Sequence, residues 1–292
     1  MTLQAVAPLE PNLHGEMLLD MQQLRRSGSV CAGCVADIIM NYPLWIIAKR
    51  KGVGIAPLPP TLPEVYKGSG SLMFSLGPTT MLEDIGKRQF ERMLPPSISL
   101  GVTLDRELLS SVMGGAFAAA TFCAQVEHVI TASHALKMSM PATAAHLYHH
   151  RGGVKGLLLP PGTAAMMGRE MPFGAALFYV RPTVTKMVYG ASGSGHASDD
   201  GASHVAKRFH LEFISGFLTA ALTCPFSHVP SVIAAYQQGH GVSLRRACSD
   251  IYGQGGLRAF WRGLFARTCS IAGTMIVVPI VIDALGGKAH GG

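Results

Sequence analysis

Charge is what this chain has least of. Only 14% of its 292 residues are Asp, Glu, Lys or Arg, against 48% hydrophobic, and its mean hydropathy is +0.30. A soluble domain usually carries about a quarter charged residues, so the scarcity excludes an ordinary solvated surface and implies a lipid-covered one. The first residues lack the apolar core of a secretory signal, and Glu10, Glu16 and Asp20 argue against an acid-poor transit peptide. Any organellar address is expected to be internal. Cysteines stand at 31, 34, 123, 224, 248 and 269, mostly inside apolar segments, where a thiol packs as a small hydrophobe. Cys31 and Cys34 form a C-x-x-C without a second pair, which speaks against a zinc framework. Catalytic signatures are missing too. Gly286-Gly287-Lys288 lacks the first glycine and the helix of a phosphate-binding loop, and neither a G-x-S-x-G turn nor a zinc-protease motif occurs. Glu83-Asp84 reads as a solvated helix edge. No enzymatic activity, metal or cofactor is expected beyond bound lipid.

The charge that is present is basic: a net +7, with a pI near 9.2. Nucleic-acid binding calls for clustered bases interleaved with exposed aromatics. Here the bases are scattered between apolar runs, which fits anionic headgroups instead. Residues 1 to 26 are polar, with one short amphipathic helix expected to end at Arg25-Arg26. Val30 to Ile47 then holds a single charge, Asp37, and the proline of Asn41-Tyr42-Pro43 is expected to kink it. Lys49-Arg50-Lys51 marks an aqueous boundary, and 52–64 is a Gly/Pro loop. A weaker span covers Gly70 to Glu91, crowded by Glu83, Asp84, Lys87 and Arg88. Leu108 to Val126 is free of charge and contains Gly114-Gly115-Ala116, small residues that let membrane helices approach closely. His146, His149 and His150 fall in a polar connector, read as an interfacial patch rather than a metal site. A fourth span runs from Gly162 to Val180, residues 189–204 form a Gly/Ser linker, Phe213 to Tyr236 carries no charge around Pro225, and Thr268 to Ile282 completes six.

Two of the spans open alike. Gly255-Gly256-Leu257-Arg258-Ala259-Phe260-Trp261-Arg262-Gly263 precedes the sixth, and Tyr66-Lys67-Gly68 precedes the second. An aromatic at headgroup level, a base, and a glycine with free helix-start N–H groups suit a lipid phosphate. Paired spans recurring about every hundred residues suggest a repeat, near 1–100, 101–200 and 201–292, within a single domain.

These residues resemble the mitochondrial carrier family over nearly the whole chain. The resemblance implies an all-α membrane protein of six transmembrane helices in three tandem two-helix repeats, multi-pass in the mitochondrial inner membrane. It also implies cardiolipin at Tyr66, Lys67, Gly68, Gly162, Trp261, Arg262 and Gly263. The second repeat, Leu159-Pro160-Pro161-Gly162, keeps only the glycine. Arg169-Glu170 falls where carriers place a substrate-contacting pair and resembles that of amino-acid carriers, while Ser270 stands near the corresponding sixth-helix position. Glu127 and His128 either line the same cavity or face its water.

The family's odd helices carry P-x-[DE]-x-x-[KR]-x-[KR], whose acids and bases pair between repeats to close the pore. Here Pro43 is followed by Trp45 and Ala48 at those positions, with the trailing Arg50 kept. Gln125 replaces the second proline, Glu127 keeps the acid, and Ile130 replaces the base. Pro225 is followed by Ser227 and Pro230. On the opposite side Phe90-Glu91 lacks its base at Leu94, the fourth helix offers Arg181, Pro182 and Thr185, and the sixth offers Ile282, Asp283 and Gly286. No motif-position bridge forms on either side. The expectation is therefore a carrier-like scaffold without conventional gating, an accessory subunit docked to protein subunits of a larger inner-membrane respiratory assembly. A carrier of a small anionic or amino-acid-like metabolite is the alternative, and an outer-membrane insertion factor a further one.

Overall fold

A computed structural model describes residues 13–99, 103–191 and 202–285. Among these the chain is helical except for its connectors and one small ribbon, β1 (Ser97–Ser99) paired antiparallel with β2 (Thr103–Asp105). Its long helices are α1 (Leu13–Val53), α3 (Ser69–Met93), α4 (Arg106–Ala118) with α5 (Ala124–Leu136), α8 (Thr163–Ala175) with α9 (Arg181–Ala191), α10 (Ala202–His240) and α12 (Leu264–Ala284). A π-helical turn joins α4 to α5 at Ala119–Cys123, and another joins α8 to α9 at Ala176–Val180. Short helices lie between: α2 (Leu62–Val65), α6 (Met140–His150), α7 (Gly153–Leu158) and α11 (Leu244–Gly253).

Four stretches are long and apolar enough to cross a membrane: Gly28–Val53, Arg106–Leu136, Phe209–His240 and Gly256–Ile282. The chain is thus a multi-pass helical membrane protein. Of the six expected spans, α3 and α8–α9 fall short of that apolarity. They carry Glu83, Asp84, Lys87 and Arg88 in one, and Arg169, Glu170 and Arg181 in the other. Both nevertheless take their places in the bundle. Each long helix packs on the next in chain order, α1 on α3, α3 on α4, α4 on α8, α8 on α10 and α10 on α12, and α12 returns to α1. The helices close a ring.

Glycine sets the spacing of that ring. A Cβ at Gly114 would lie 2.6 Å from the Glu83 carbonyl, one at Gly77 2.7 Å from Cys31 Sγ, and one at Gly216 2.7 Å from Ile276. Gly115 would overlap the Glu170 carbonyl, and Gly33 faces Val278 at 3.0 Å. Small residues let helices gain dispersion contacts where lipid supplies no hydrophobic drive. All six cysteines are free thiols, with Cys34, Cys123 and Cys224 buried in the packing.

Three hairpins share one plan. A short helix at the bundle end precedes a glycine with left-handed backbone, φ +89° at Gly68, +93° at Gly162 and +85° at Gly263. That residue then starts α3, α8 or α12. Glycine adopts such angles without a Cβ clash. Ser139 caps α6 and Ser243 caps α11, each accepting from a first-turn N–H.

Three expectations need correction. α1 is continuous through Arg25-Arg26, with no separate amphipathic helix. Helix replaces both ends of the proposed 189–204 linker, since α9 reaches Ala191 and α10 begins at Ala202, while 192–201 lie outside the described residues. Glu83 is no solvated edge: it is 1% exposed.

Candidate functional site

The middle of the ring is a cavity of about 840 Å³ of empty space, its open mouth included. Its polar wall comes from every long helix except α10: Asp37 on α1, Glu83 on α3, Glu127 on α5, Arg169 and Glu170 on α8, and Arg267 and Ser270 on α12. α10 contributes no charge over Phe213 to Tyr236, and the cavity is correspondingly lopsided.

One cluster binds itself. Glu127 takes both arms of the Arg169 guanidinium, Nη1 to Oε2 at 2.6 Å and Nη2 to Oε1 at 2.7 Å. It also accepts from Lys49 Nζ of α1. Arg169 donates in addition to Glu170, and the Cys123 thiol lies 3.6 Å from Glu127 and 3.8 Å from Glu170. Two cations and two carboxylates thus neutralise one another, each more than nine-tenths buried. Bidentate guanidinium–carboxylate geometry is the strong form of such a pair. Cys123, Glu127 and Glu170 have the donor spacing of a metal site, but Arg169 and Lys49 already supply its positive charge.

Two other ionisable side chains line the same cavity with unsatisfied polar atoms. Neither carboxylate oxygen of Glu83 has a hydrogen-bond donor, and Arg267, 8% exposed, has no acceptor for Nε. Asp37, the remaining acid, is held by Asn41 Nδ2 at 2.6 Å and by the Thr274 hydroxyl at 2.8 Å.

At one end α1, α5 and α10 converge. A Cβ at Gly52 would lie 3.1 Å from that of Ala235, and one at Gly239 2.9 Å from the Val53 side chain and 3.6 Å from that of Ala135. Glycine lets the three helices approach closely there. A bridge does form outside the motif positions: Lys49, one residue past the vacant base position at Ala48, reaches Glu127. Arg50 instead donates to the Ala56 carbonyl at 2.7 Å. Pro225 lies within α10, Glu91 pairs with Lys87 one turn away at 3.8 Å, and the Asp283 side chain lies outside the described residues. Arg181 belongs to a second buried pair, with Glu212 of α10 at 2.6 Å, and also donates to the Met275 carbonyl of α12 at 3.0 Å.

The expected lipid residues sit at helix starts, but their bases are engaged within the protein. Lys67 Nζ donates to the Ser133 carbonyl at 3.0 Å, and partial burial pulls its pKa below the ordinary lysine value, with Glu64 opposing. Arg262 holds the Gln254 carbonyl at 2.7 Å and its side-chain oxygen at 2.8 Å. Tyr66 stacks on Tyr42, and Trp261 on His228. His128 faces away from the cavity, accepting from Arg151 at 3.4 Å. His146 stacks on His150 along α6.

Sequence reasoning located Arg169, Glu170, Glu127 and Ser270, and the fold brings all four to one cavity. It missed Lys49, Glu83 and Arg267. Arg267 had a signal: it lies one helical turn before Ser270, on the same face.

No family model matches the chain, and no curated protein matches its sequence.

Proposed function

We propose that this chain is a divergent mitochondrial carrier of the inner membrane that binds a small zwitterionic, amino-acid-like solute in its central cavity and moves it across the bilayer. The observation that carries the reading is the unsatisfied Glu83 carboxyl and the unsatisfied Arg267 Nε on the walls of one cavity. A buried charge without a partner is strongly disfavoured, and ionisable groups within a span mark solute pathways by default. A solute bearing both an ammonium and a carboxylate group satisfies both walls at once. The neutral Lys49–Glu127–Arg169–Glu170 cluster leaves no net charge to compete for it.

Three further features support the carrier reading: the closed ring, the left-handed glycine before each even helix, and the inter-repeat ion pair. A scaffold role as an accessory subunit rested on missing charge pairs, and the shifted Lys49–Glu127 contact weakens that ground. Acidic phospholipid, cardiolipin in that membrane, is proposed at the starts of α3, α8 and α12. Its grip there is through backbone N–H groups, since Lys67 and Arg262 are engaged elsewhere.

Purified protein in liposomes loaded with unlabelled amino acids tests the function. Exchange of at least one labelled zwitterionic amino acid is expected, falling about tenfold or more in Glu83→Gln and in Arg267→Gln, the loss set by one polar contact of about 1.4 kcal/mol. Absence of exchange for every amino acid, or exchange unaffected by both substitutions, would overturn the reading.

A further inference from the structure

Gln125 stands where the first and third repeats carry Pro43 and Pro225, and the helix there changes character. Between α4 and α5 the Ala124 N–H reaches back five residues to the Ala119 carbonyl, so Ala119–Cys123 is wound as a π-helical turn. Such a turn holds one residue more than the α-helix it interrupts, and it is frequent at functional sites. Side chains occupy carbonyls at both ends of it. The Thr121 hydroxyl donates to the Phe117 carbonyl at 2.8 Å. Gln125 serves the other end: its Nε2 donates to the Ala120 carbonyl at 2.9 Å and to the Leu158 carbonyl at 2.8 Å. Leu158 is the last residue of α7, so one amide clasps the turn to a short helix of its own repeat. Both partners can only accept, which fixes the orientation of the amide.

The extra residue decides which side chains face α8. Before the turn Gly115 lies against α8, at the Glu170 carbonyl. Seven residues make about two turns of an α-helix, so an uninterrupted helix would carry Phe122 and then Val126 down the same face. With one residue taken up in the turn, that face passes instead to Cys123 and Glu127. Cys123 lies 3.8 Å from the Glu170 carboxylate and accepts from Arg169 at 3.3 Å. Glu127, one turn on, holds both arms of Arg169. Cys123 and Glu127 line the central cavity, and Phe122 and Val126 do not. A slip of one residue is about 100° of rotation, the difference between an acid and a valine opposite Arg169.

We infer that Gln125 is a positioning residue of the central site: its amide holds the π-helical turn, and the turn aims Cys123 and Glu127 at Arg169. This deepens the transport reading and rests on it for its purpose, although the register itself is read without any solute. A proline at 125, as in the other two repeats, would bring no donor. Glutamine brings two on one nitrogen, one for each carbonyl. A leucine of similar size donates nothing, an ionised glutamate only accepts, and a lysine ammonium donates again. Without the clasp the turn relaxes to the α-helical register and brings Phe122 and Val126 round to α8.

Thiol labelling reads that register. Native Cys123 is one reporter, and Phe122→Cys combined with Cys123→Ser is the other, each in the full chain in sealed proteoliposomes. A membrane-impermeant methanethiosulfonate is added from each side in turn, and modification at 122 or 123 is read by peptide mass spectrometry. With Gln125 present, position 123 is expected to react about tenfold or more faster than position 122, a difference of about 1.4 kcal/mol or more. In Gln125→Leu the order is expected to reverse, and in Gln125→Lys to return. Gln125→Glu keeps the size, loses the donors and should reverse the order too, so it carries the test if Gln125→Leu fails to insert. A merely structural role would speed both positions together rather than exchange them. The inference is overturned by an unchanged order in the Leu and Glu variants, by a parallel rise at both positions, or by a native chain in which 123 does not react first. Amino-acid exchange in the same liposomes separates the two readings. Reversal in chains that never exchange an amino acid would sink the transport reading and leave the register standing. Reversal with exchange at the native rate in Gln125→Leu would remove Gln125 from the site.

Discussion

Glu127 and Arg169 show how a membrane interior tolerates charge. The carboxylate accepts from two cations on different helices, and the guanidinium spreads its donors over two carboxylates. Arg169 is the group whose loss leaves most behind, because Glu170 then has no cation and Glu127 keeps only Lys49. Arg169→Met is expected to destabilise the protein by about 3–5 kcal/mol, the usual effect of breaking a buried pair. Lys49→Met should cost less, since Arg169 still holds both oxygens of Glu127. Unfolding in detergent micelles checks the order, and equal losses would show that the cluster is not organised around Arg169. Arg169 and Glu170 were legible as a rare charged pair within a span. Lys49 was not, because it stands one residue past the motif position at Ala48, and Glu83 was not, because it was read together with Asp84 as one edge although one residue turns a helix by about 100°. Asp84 does pair along the outside with Arg88 at 2.7 Å, while its neighbour Glu83 points inward.

Among elements, the seams between helices carry the information. Gly114 and Gly115 lie side by side on α4 and serve two different neighbours, the first facing α3 and the second α8. The run of small residues disclosed a close approach but not which helix approached. Gly115→Ala would drive its Cβ into the Glu170 carbonyl and is expected to cost about 1–3 kcal/mol, as overpacking does. Gly70→Ala, on α3 with nothing within 4 Å, should instead stabilise by up to about 1 kcal/mol through helix propensity. Melting temperatures of the two variants in the same detergent should move in opposite directions; a shared direction would mean that the seam yields.

At the scale of the whole molecule, the ring depends on α12 returning to α1, two helices at opposite ends of the chain. Gly33 and Val278 mark that contact, with a Cβ at 33 lying 3.1 Å from Val278 Cγ1. This is near enough for a disulfide, whose Cβ atoms stand about 3.8 Å apart. A Gly33→Cys, Val278→Cys double variant oxidised in membranes is expected to cross-link within one chain, seen as a 33–278 bridged peptide by mass spectrometry. Bridging only between chains would mean that the ring is open.

The sequence by itself determined that the chain lives in lipid, because scarce charge and long apolar runs leave no other solvent for it. It also determined where the repeated helix starts lie, because glycine is the residue that takes the left-handed turn at 68, 162 and 263 without a Cβ clash. Only the tertiary structure decided which charges meet. Lys49 and Glu127 are 78 positions apart, and their contact depends on how each helix is rotated in the ring. Rotation is set by glycine seams on every neighbour together, and no local pattern contains that sum.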